Sequence, residues 1–520
     1  MRENQTKFGS DDTIIRRIRA LAERGDRAEF RFDTGLANWQ GRASFEPDRD
    51  AFRRLNVSFR PTEPSKLMSE LVGNLLVAQS GGPTSVINAS VAGVIQEAGK
   101  HMDQIEEIYG GKNGILGILN EELMDLYEEK QSSIEGLKHT PGAALGTCRY
   151  KIDFKGKPDE AAKDMDRLFQ VMEAHNIRYF FYAGGNDSQD TAHKIHLEAE
   201  KRGYDLRVIG VPKTIDNDLP HTDHCPGYGS VIKYNATTVM EVATDVASMA
   251  TDSGACVIIE VMGRAAGWIA AGTVLARDVC ATGSPSIILL PEIAFEQDKF
   301  LDKLKSVLDE KKFAVVVVGE GLKDADGKEV AADSNNVDSF GHAVLSGAAD
   351  YLKDIVEAKL GTKTRTVKLG YAQRAASHFA SATDVEEAFA CGVAAVKAAI
   401  NGRSGQMVTL KRTNSDTDPY QWTTGLQPLG DIANVEHLVP REWITPDGFL
   451  PNEKFINYAK PLVEGELDLP MENGLPKFAT LDKVAVEKTL PARGAEAPAP
   501  APEPAAAEAP EAEGAAEQPA

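Results

Sequence analysis

The sequence predicts an α/β protein built on doubly wound parallel sheets, and two patterns carry that prediction. Apolar runs rich in β-branched residues recur between helix-length stretches, the clearest being 313–318 with its four consecutive valines. A strand covered by helices on both faces is apolar throughout rather than alternating, so such runs indicate a parallel sheet. Six runs also end in a glycine or polar cluster, at 79–84, 184–188, 213–218, 262–264, 319–321 and 371–374. In open α/β sheets ligands bind beyond the carboxyl ends of the strands. Six such endings predict one site assembled along one edge.

Taken in order, residues 1–70 are the least structured in pattern. Asp11 or Asp12 caps a predicted helix through Ile14, Ile15, Ile18, Leu21 and Ala22, and an arginine-rich stretch follows. This reads as a solvated extension packed on the main body. A strand at 74–78 then runs into Gln79-Ser-Gly-Gly-Pro-Thr84 and a helix at 86–97. Strand, glycine turn and helix together aim backbone N–H groups at a phosphate. Neither the P-loop nor the dinucleotide fingerprint is present. Further glycine turns lie at 109–114 and 141–149, the second ending in Arg149, whose guanidinium fork suits a phosphate. The strand at 178–183 ends in Gly184-Gly185-Asn186-Asp187-Ser188, with Ser188 expected to cap the next helix. The glycine pair lets the backbone approach a ligand, and Asp187 beside a phosphate suits Mg²⁺, which takes oxygen ligands.

The next strand, 206–211, leads into the turn where the chemistry concentrates. Lys213, Asp216 and Asp218 fall within six positions. A lysine holds phosphate, one carboxylate takes a proton, and a second organises a metal or a sugar hydroxyl. That is much of what phosphoryl transfer to an alcohol requires. A polar strand-to-loop turn with a helix cap has the same residue types. Beyond it come a helix at 229–250, strands at 255–261, 285–290, 313–318 and 365–370, and a helix at 384–400. Residues 402–480 are mixed in pattern. The tail from Pro491 is Ala, Pro and Glu with one base, Arg493; it cannot bury a core and is expected to be disordered.

Length and charge set the outer bounds. A chain of 520 residues, 42% hydrophobic and 26% charged, accommodates two or three domains. A formal charge of −21 argues against nucleic-acid binding and anionic membranes, while leaving room for a locally basic pocket. No run approaches the roughly 20 apolar residues of a membrane span. The five cysteines, Cys148, Cys225, Cys256, Cys280 and Cys391, are scattered and form no C-x-x-C pair. Reduced thiols in the cytoplasm fit this better than disulfides or zinc.

Four motifs in this order, PKTIDND at 212–218, MGR at 262–264, GEG at 319–321 and LGYAQR at 369–374, resemble the phosphofructokinase family over about residues 72–430. The resemblance implies two Rossmann-like doubly wound domains with the active site in the cleft between them. A donor domain would take 72–228 plus about 373–425, and a sugar-phosphate domain 229–372 plus about 426–480. The first 71 residues form an extension and 490–520 a tail. Asp216 matches the base for the sugar 1-hydroxyl, and Asp218 a residue near the sugar and the metal. Thr214, Ile215, Met262, Gly263, Arg264 and Glu320 match sugar contacts, and Arg365, Tyr371 and Arg374 the cradle of the 6-phosphate. Gly81, Gly82, Arg149, Gly185, Asn186, Asp187 and Lys213 match the donor side, with Asn186 and Asp187 nearest a Mg²⁺ ion.

Two positions resemble the pyrophosphate-using branch. ATP-using members have glycine where Asp187 stands and glycine before the threonine of TIDND, where Lys213 stands. The side chains shrink the donor site and add a cation for a short donor. The implied reaction moves a phosphoryl group reversibly from pyrophosphate to fructose 6-phosphate in glycolysis and gluconeogenesis, in a homo-oligomer (dimer or tetramer). Departures are Asn186 in place of a metal-binding aspartate, the missing aspartate after Gly81-Gly82, and Ala255 in place of an intersubunit arginine nine residues before Arg264. An ATP-dependent kinase of the same fold, an NAD kinase-like enzyme and a non-catalytic regulatory subunit are the competing readings.

Overall fold

The computed structural model describes residues 28–32, 35–39 and 71–494, apart from 155, 253, 338–342, 346 and 416–417. The chain divides into two units, Met1–Glu70 and Leu71–Ala520. In the first, β1 (Ala28–Phe32) and β2 (Gly35–Trp39) pair antiparallel, Ala28 opposite Trp39. The sequence pattern assigned no strand there. The helix expected near 12–22 and residues 495–520 of the Ala/Pro/Glu tail lie outside the described residues; the first residues of that tail, expected to be disordered from Pro491, are instead tied to the main body where Arg493 pairs with Asp164.

The second unit carries the remaining strands. They are β3 (Gly73–Gln79), β4 (Ile105–Gly111), β5 (Leu123–Asp125), β6 (Ile177–Gly184), β7 (Arg207–Pro212), β8 (Ala255–Val261) and β9 (Ile287–Leu289). After these come β10 (Phe313–Gly319), β11 (Ala332–Val337), β12 (Ala343–Leu345), β13 (Thr364–Lys368), β14 (Gln406–Arg412) and β15 (Trp422–Pro428), then a two-residue antiparallel pair, β16 (Met471–Glu472) and β17 (Leu475–Pro476). Seven form a sheet in the order β15-β14-β7-β6-β3-β4-β5, parallel from β14 to β4 with an antiparallel strand at each edge. Four form a wholly parallel sheet, β13-β8-β10-β9. A short antiparallel pair, β11 and β12, stands apart from both.

Both large sheets are covered on both faces, and the strands show why. Along β3, Leu75 and Val77 pack into one core with Val91, Phe181, Ile209 and Val396, while Leu76 and Ala78 enter another with Met165, Phe180, Ile195 and Val208. Successive side chains leave a strand on opposite faces, so continuous apolarity means two cores. The valines of β10 divide likewise, Val315 and Val317 on one side, Val316 and Val318 on the other. Each fully buried aliphatic side chain contributes roughly 1.5–3 kcal/mol. No helix among the described residues is long and apolar enough to cross a membrane.

The segment beyond 402, mixed in pattern, adds β14 and β15 to the larger sheet. Farther on, Phe455 and Tyr458 pack around the buried indole of Trp268, with ring centroids 6.0 and 5.5 Å away. Residues 482–490 then run back along the larger sheet. Asp125 N–H donates to Val484 O (2.9 Å), Val486 N–H to Leu123 O (3.0 Å), and buried Glu121 accepts from Thr489 N–H (2.6 Å).

The strand order places the ligand crevice. From β3 the chain moves to β4 on one side, then returns to β6 and β7 on the other. The reversal lies at β3 and β6, where a doubly wound sheet opens a crevice. The turns that follow these two strands carry Gly81-Gly82 and Gly185-Asn186-Asp187.

Candidate active site

Turns from both sheets meet around one cavity of about 350 Å³. Its larger-sheet wall comprises Gly81, Gly82, Arg149, Gly185, Asn186, Asp187 and Lys213; the smaller-sheet wall comprises Met262, Arg264 and Glu320, with Arg374 beside them. Thr214, Ile215, Asp216 and Asp218 line the region between.

The turn after β7 holds the two walls in register. Lys213 N–H donates to Gly184 O (3.2 Å), tying this turn to the end of β6. The Lys213 ammonium donates to Gly82 O (2.8 Å), tying it to the turn after β3. Lys213 is only 3% exposed. Burial brings its pKa down to about 8, against the pull of Asp216 and Asp218. Gly81 has φ +73°, a conformation that strains any side chain, and a Cβ there would meet the Lys213 ammonium at 3.3 Å. A Cβ on Gly82 would meet an Arg374 guanidinium nitrogen at 2.5 Å. Those glycines therefore leave the space that two cations occupy.

Asp216 N–H donates to Thr214 Oγ1 (3.1 Å), and Thr214 N–H to Pro226 O (3.3 Å). Asn217 takes a left-handed conformation (φ +55°), its amide held by Cys225 N–H and the Tyr458 hydroxyl, each at 2.9 Å. That twist puts Asp216 and Asp218 on the cavity. Burial, then the Asp218 and Glu320 charges, raise the Asp216 pKa to about 7, against Lys213 and Arg374. Burial also raises that of Asp218, whose Oδ1 is buried with no hydrogen-bond partner. A carboxyl poised near neutrality is a general base matched to working pH.

On the opposite wall, Glu320 N–H donates to Val261 O (3.0 Å), which seats its turn against β8. Burial and the nearby Glu260 raise the Glu320 pKa to about 7, against Arg264 and Arg374. Buried Gln373 joins the two arginine-bearing turns. Its Oε1 accepts from Met262 N–H (3.2 Å) and Asn235 Nδ2 (3.0 Å), and its Nε2 donates to Gly370 O (3.0 Å). Gly263, at φ +115°, shapes the turn between Met262 and Arg264. The Arg374 guanidinium lies 4.2 Å from the Tyr371 ring centroid. Burial lowers its pKa, and the Arg149 charge adds to the effect. Arg149 and Arg374 thus face one region from opposite walls, a setting for an anion.

Some expected positions fall elsewhere. Arg365 is exposed on the edge strand β13, level with Val257 near the start of β8, away from the turns that line the cavity. Tyr371 is 66% exposed and meets the cavity through Arg374 alone. Asn186 lines the cavity, yet its amide is engaged: Oδ1 accepts from Asn434 N–H (2.7 Å) and Nδ2 donates to Val435 O (2.6 Å). It pins a loop, with one lone pair of Oδ1 already committed. Ser188 is not the helix cap. The helix Asn186–Arg202 begins two residues earlier, with Gly185 at its N-cap.

Lys151 and Gln373 were missed in the sequence. Lys151 lines the cavity, and its ammonium contacts Asp187 Oδ1 at 2.6 Å. Its only local signal is a second cation two places after Arg149. Gln373 sits inside the LGYAQR motif, but its partners are 111 and 138 residues away.

Residues 74–399 match the family described as Phosphofructokinase. A pyrophosphate–fructose 6-phosphate 1-phosphotransferase of Halomonas elongata is 45% identical over 420 residues, 80% of this chain and 98% of the relative. Another of that name, from Xanthomonas campestris pv. campestris, is 47% identical over 421 residues, 81% and 99%. The crystal structure of a pyrophosphate-dependent phosphofructokinase from Nitrosospira multiformis superposes with a TM-score of 0.73 at 43% identity, covering 81% of this chain and 99% of that one.

Proposed function

The chain belongs to the phosphofructokinase family, and on that premise we propose that it transfers a phosphoryl group from pyrophosphate to the 1-hydroxyl of fructose 6-phosphate, reversibly. The observation that carries this reading is the buried Lys213 ammonium. It stands in the larger-sheet wall of the cavity that also holds Asp216, with the Asp187–Lys151 pair on the same wall. A short, highly charged donor suits such a wall.

In the forward direction Asp216 accepts the proton of the 1-hydroxyl as the oxygen attacks phosphorus. Assistance of this kind contributes roughly 10²–10⁴-fold. Lys213 and Arg149, with the N-terminus of the helix Asn186–Arg202 behind Gly185, hold the donor phosphates. Arg264 and Arg374 hold the sugar phosphate, Glu320 and Met262 the sugar, and Thr214 and Asp218 keep Asp216 in position. Arg365 and Tyr371 are given no part in this mechanism.

The family works with a divalent metal, and the residues here suit Mg²⁺. Among the described residues no group of three or more His, Cys, Asp or Glu could hold a metal by itself. Mg²⁺ is commonly held by one or two carboxylates together with substrate phosphates. Asp187 would supply the carboxylate, and the ion would neutralise charge on the transferring phosphoryl group. We place the protein in the cytoplasm, in glycolysis and gluconeogenesis, as a homo-oligomer, with domain limits near 228, 373 and 426.

The test is turnover of purified protein with fructose 6-phosphate, Mg²⁺ and either donor. Pyrophosphate is expected to support turnover well above ATP. Faster turnover with ATP refutes the donor assignment.

A further inference from the structure

Lys151 has no part in the sequence argument, yet it is placed like a working residue. It reaches Asp187 Oδ1 at 2.6 Å, with the side chains 35% and 54% exposed. Lys213, on the same wall, is 3% exposed. The wall therefore runs from a buried cation beside Asp216 to a half-open ion pair at the mouth. The Lys151 backbone is anchored through its neighbour. Tyr150 donates its hydroxyl to Asp164 and accepts from Arg493 (3.1 Å), and Arg493 pairs with Asp164.

Asp187 poses an electrostatic problem that Lys151 answers. It stands in the first turn of the helix Asn186–Arg202, where the helix N-terminus favours an anion. Its own charge would repel a diphosphate arriving there. An ammonium at 2.6 Å from Oδ1 offsets that repulsion, leaves Oδ2 for the metal proposed above, and has donors left for phosphate oxygens.

We propose that Lys151 is a donor-binding residue: it neutralises Asp187 and donates to the phosphate of pyrophosphate that lies farther from the sugar. The inference rests on the pyrophosphate reading above and adds a residue to it. A charge-assisted hydrogen bond of this kind predicts that Lys151→Met raises KM for pyrophosphate about tenfold. KM for fructose 6-phosphate stays within about twofold, and Lys151→Arg retains most of the donor affinity.

The experiment measures both KM values in the wild type, Lys151→Met, Lys151→Arg, Asp187→Asn and the Asp187→Asn/Lys151→Met double variant, with thermal melting as the folding control. In the Asp187→Asn background Lys151→Met is again expected to raise KM for pyrophosphate. A rise below about threefold in either background overturns the proposal, as does an equal rise in KM for the sugar. A wild type that prefers ATP sinks the donor reading instead. One that prefers pyrophosphate while Lys151→Met matches it sinks only the Lys151 assignment.

Discussion

The pH dependence of the two reaction directions tests the assignment of Asp216 most directly. On that assignment the forward reaction needs its carboxylate, and the reverse reaction needs the same group protonated to return the proton to the sugar oxygen. With the Asp216 pKa near 7, forward kcat/KM falls below about pH 7, approaching tenfold per pH unit. Reverse kcat/KM falls above about pH 7 for the same reason. Lys213 adds a second limb. Its folded-state pKa is near 8, and it holds phosphate only when charged, so the forward rate falls again above about pH 8. The forward profile is therefore a narrow bell between the two values, and the reverse profile a decline that steepens past the second. The assay is initial-rate kcat/KM across pH 5.5–9.5 in both directions at constant ionic strength. Asp216→Asn serves as the control, because its residual activity carries the ionisation of substrates, of Lys213 and of Glu320, whose pKa also lies at about 7, but not that of Asp216. Forward and reverse profiles that bend the same way at about pH 7, or an acid limb as steep in Asp216→Asn as in the wild type, would refute the reasoning.

Two further outcomes follow from particular contacts. His224 is buried between Asp223 (2.9 Å) and Glu387 (2.6 Å). Burial opposes its charge, but the Glu387 charge and the hydrogen bonds to both carboxylates raise its pKa to about 10. The unfolded value is 6.5, so this contribution to stability is complete below pH 6.5 and is lost as pH rises through about 10. His224→Gln should lose roughly 3–5 kcal/mol near neutrality, because buried Glu387 loses its counter-charge while Asp223 keeps Arg412, and less at pH 10; denaturant melts at the two pH values measure it. Gly82→Ala pushes a methyl group onto the Arg374 guanidinium, whose flexible stem can yield. KM for fructose 6-phosphate should then rise about tenfold with thermal stability little changed; an unchanged KM would remove Arg374 from the sugar-phosphate site.

The two-faced strands and the turn clusters were legible because each is a contiguous stretch. Val315–Val318 needs no partner to declare a strand covered on both sides, and PKTIDND keeps its charged groups within one turn. The Trp422–Pro428 strand (WTTGLQP) was not legible, because an edge strand with only partly buried side chains lacks a continuous apolar run. The Asn186 amide looked like a metal ligand locally, but its partners are about 248 residues away. Arg365 was expected in the phosphate cradle from its motif, and in the single chain its edge strand leaves it exposed and away from the cavity.

By itself the sequence determined the doubly wound class and the family, and it supplied the stretch proposed for proton transfer, since local pattern suffices for all three. Tertiary structure alone decided which charges share a cavity. Lys151 meets Asp187 across 36 residues, and Lys213 meets Gly82 across 131. It also decided that Asp216 titrates near neutrality, because desolvation and the fields of Asp218, Glu320, Lys213 and Arg374 exist only once the two sheets have closed around them.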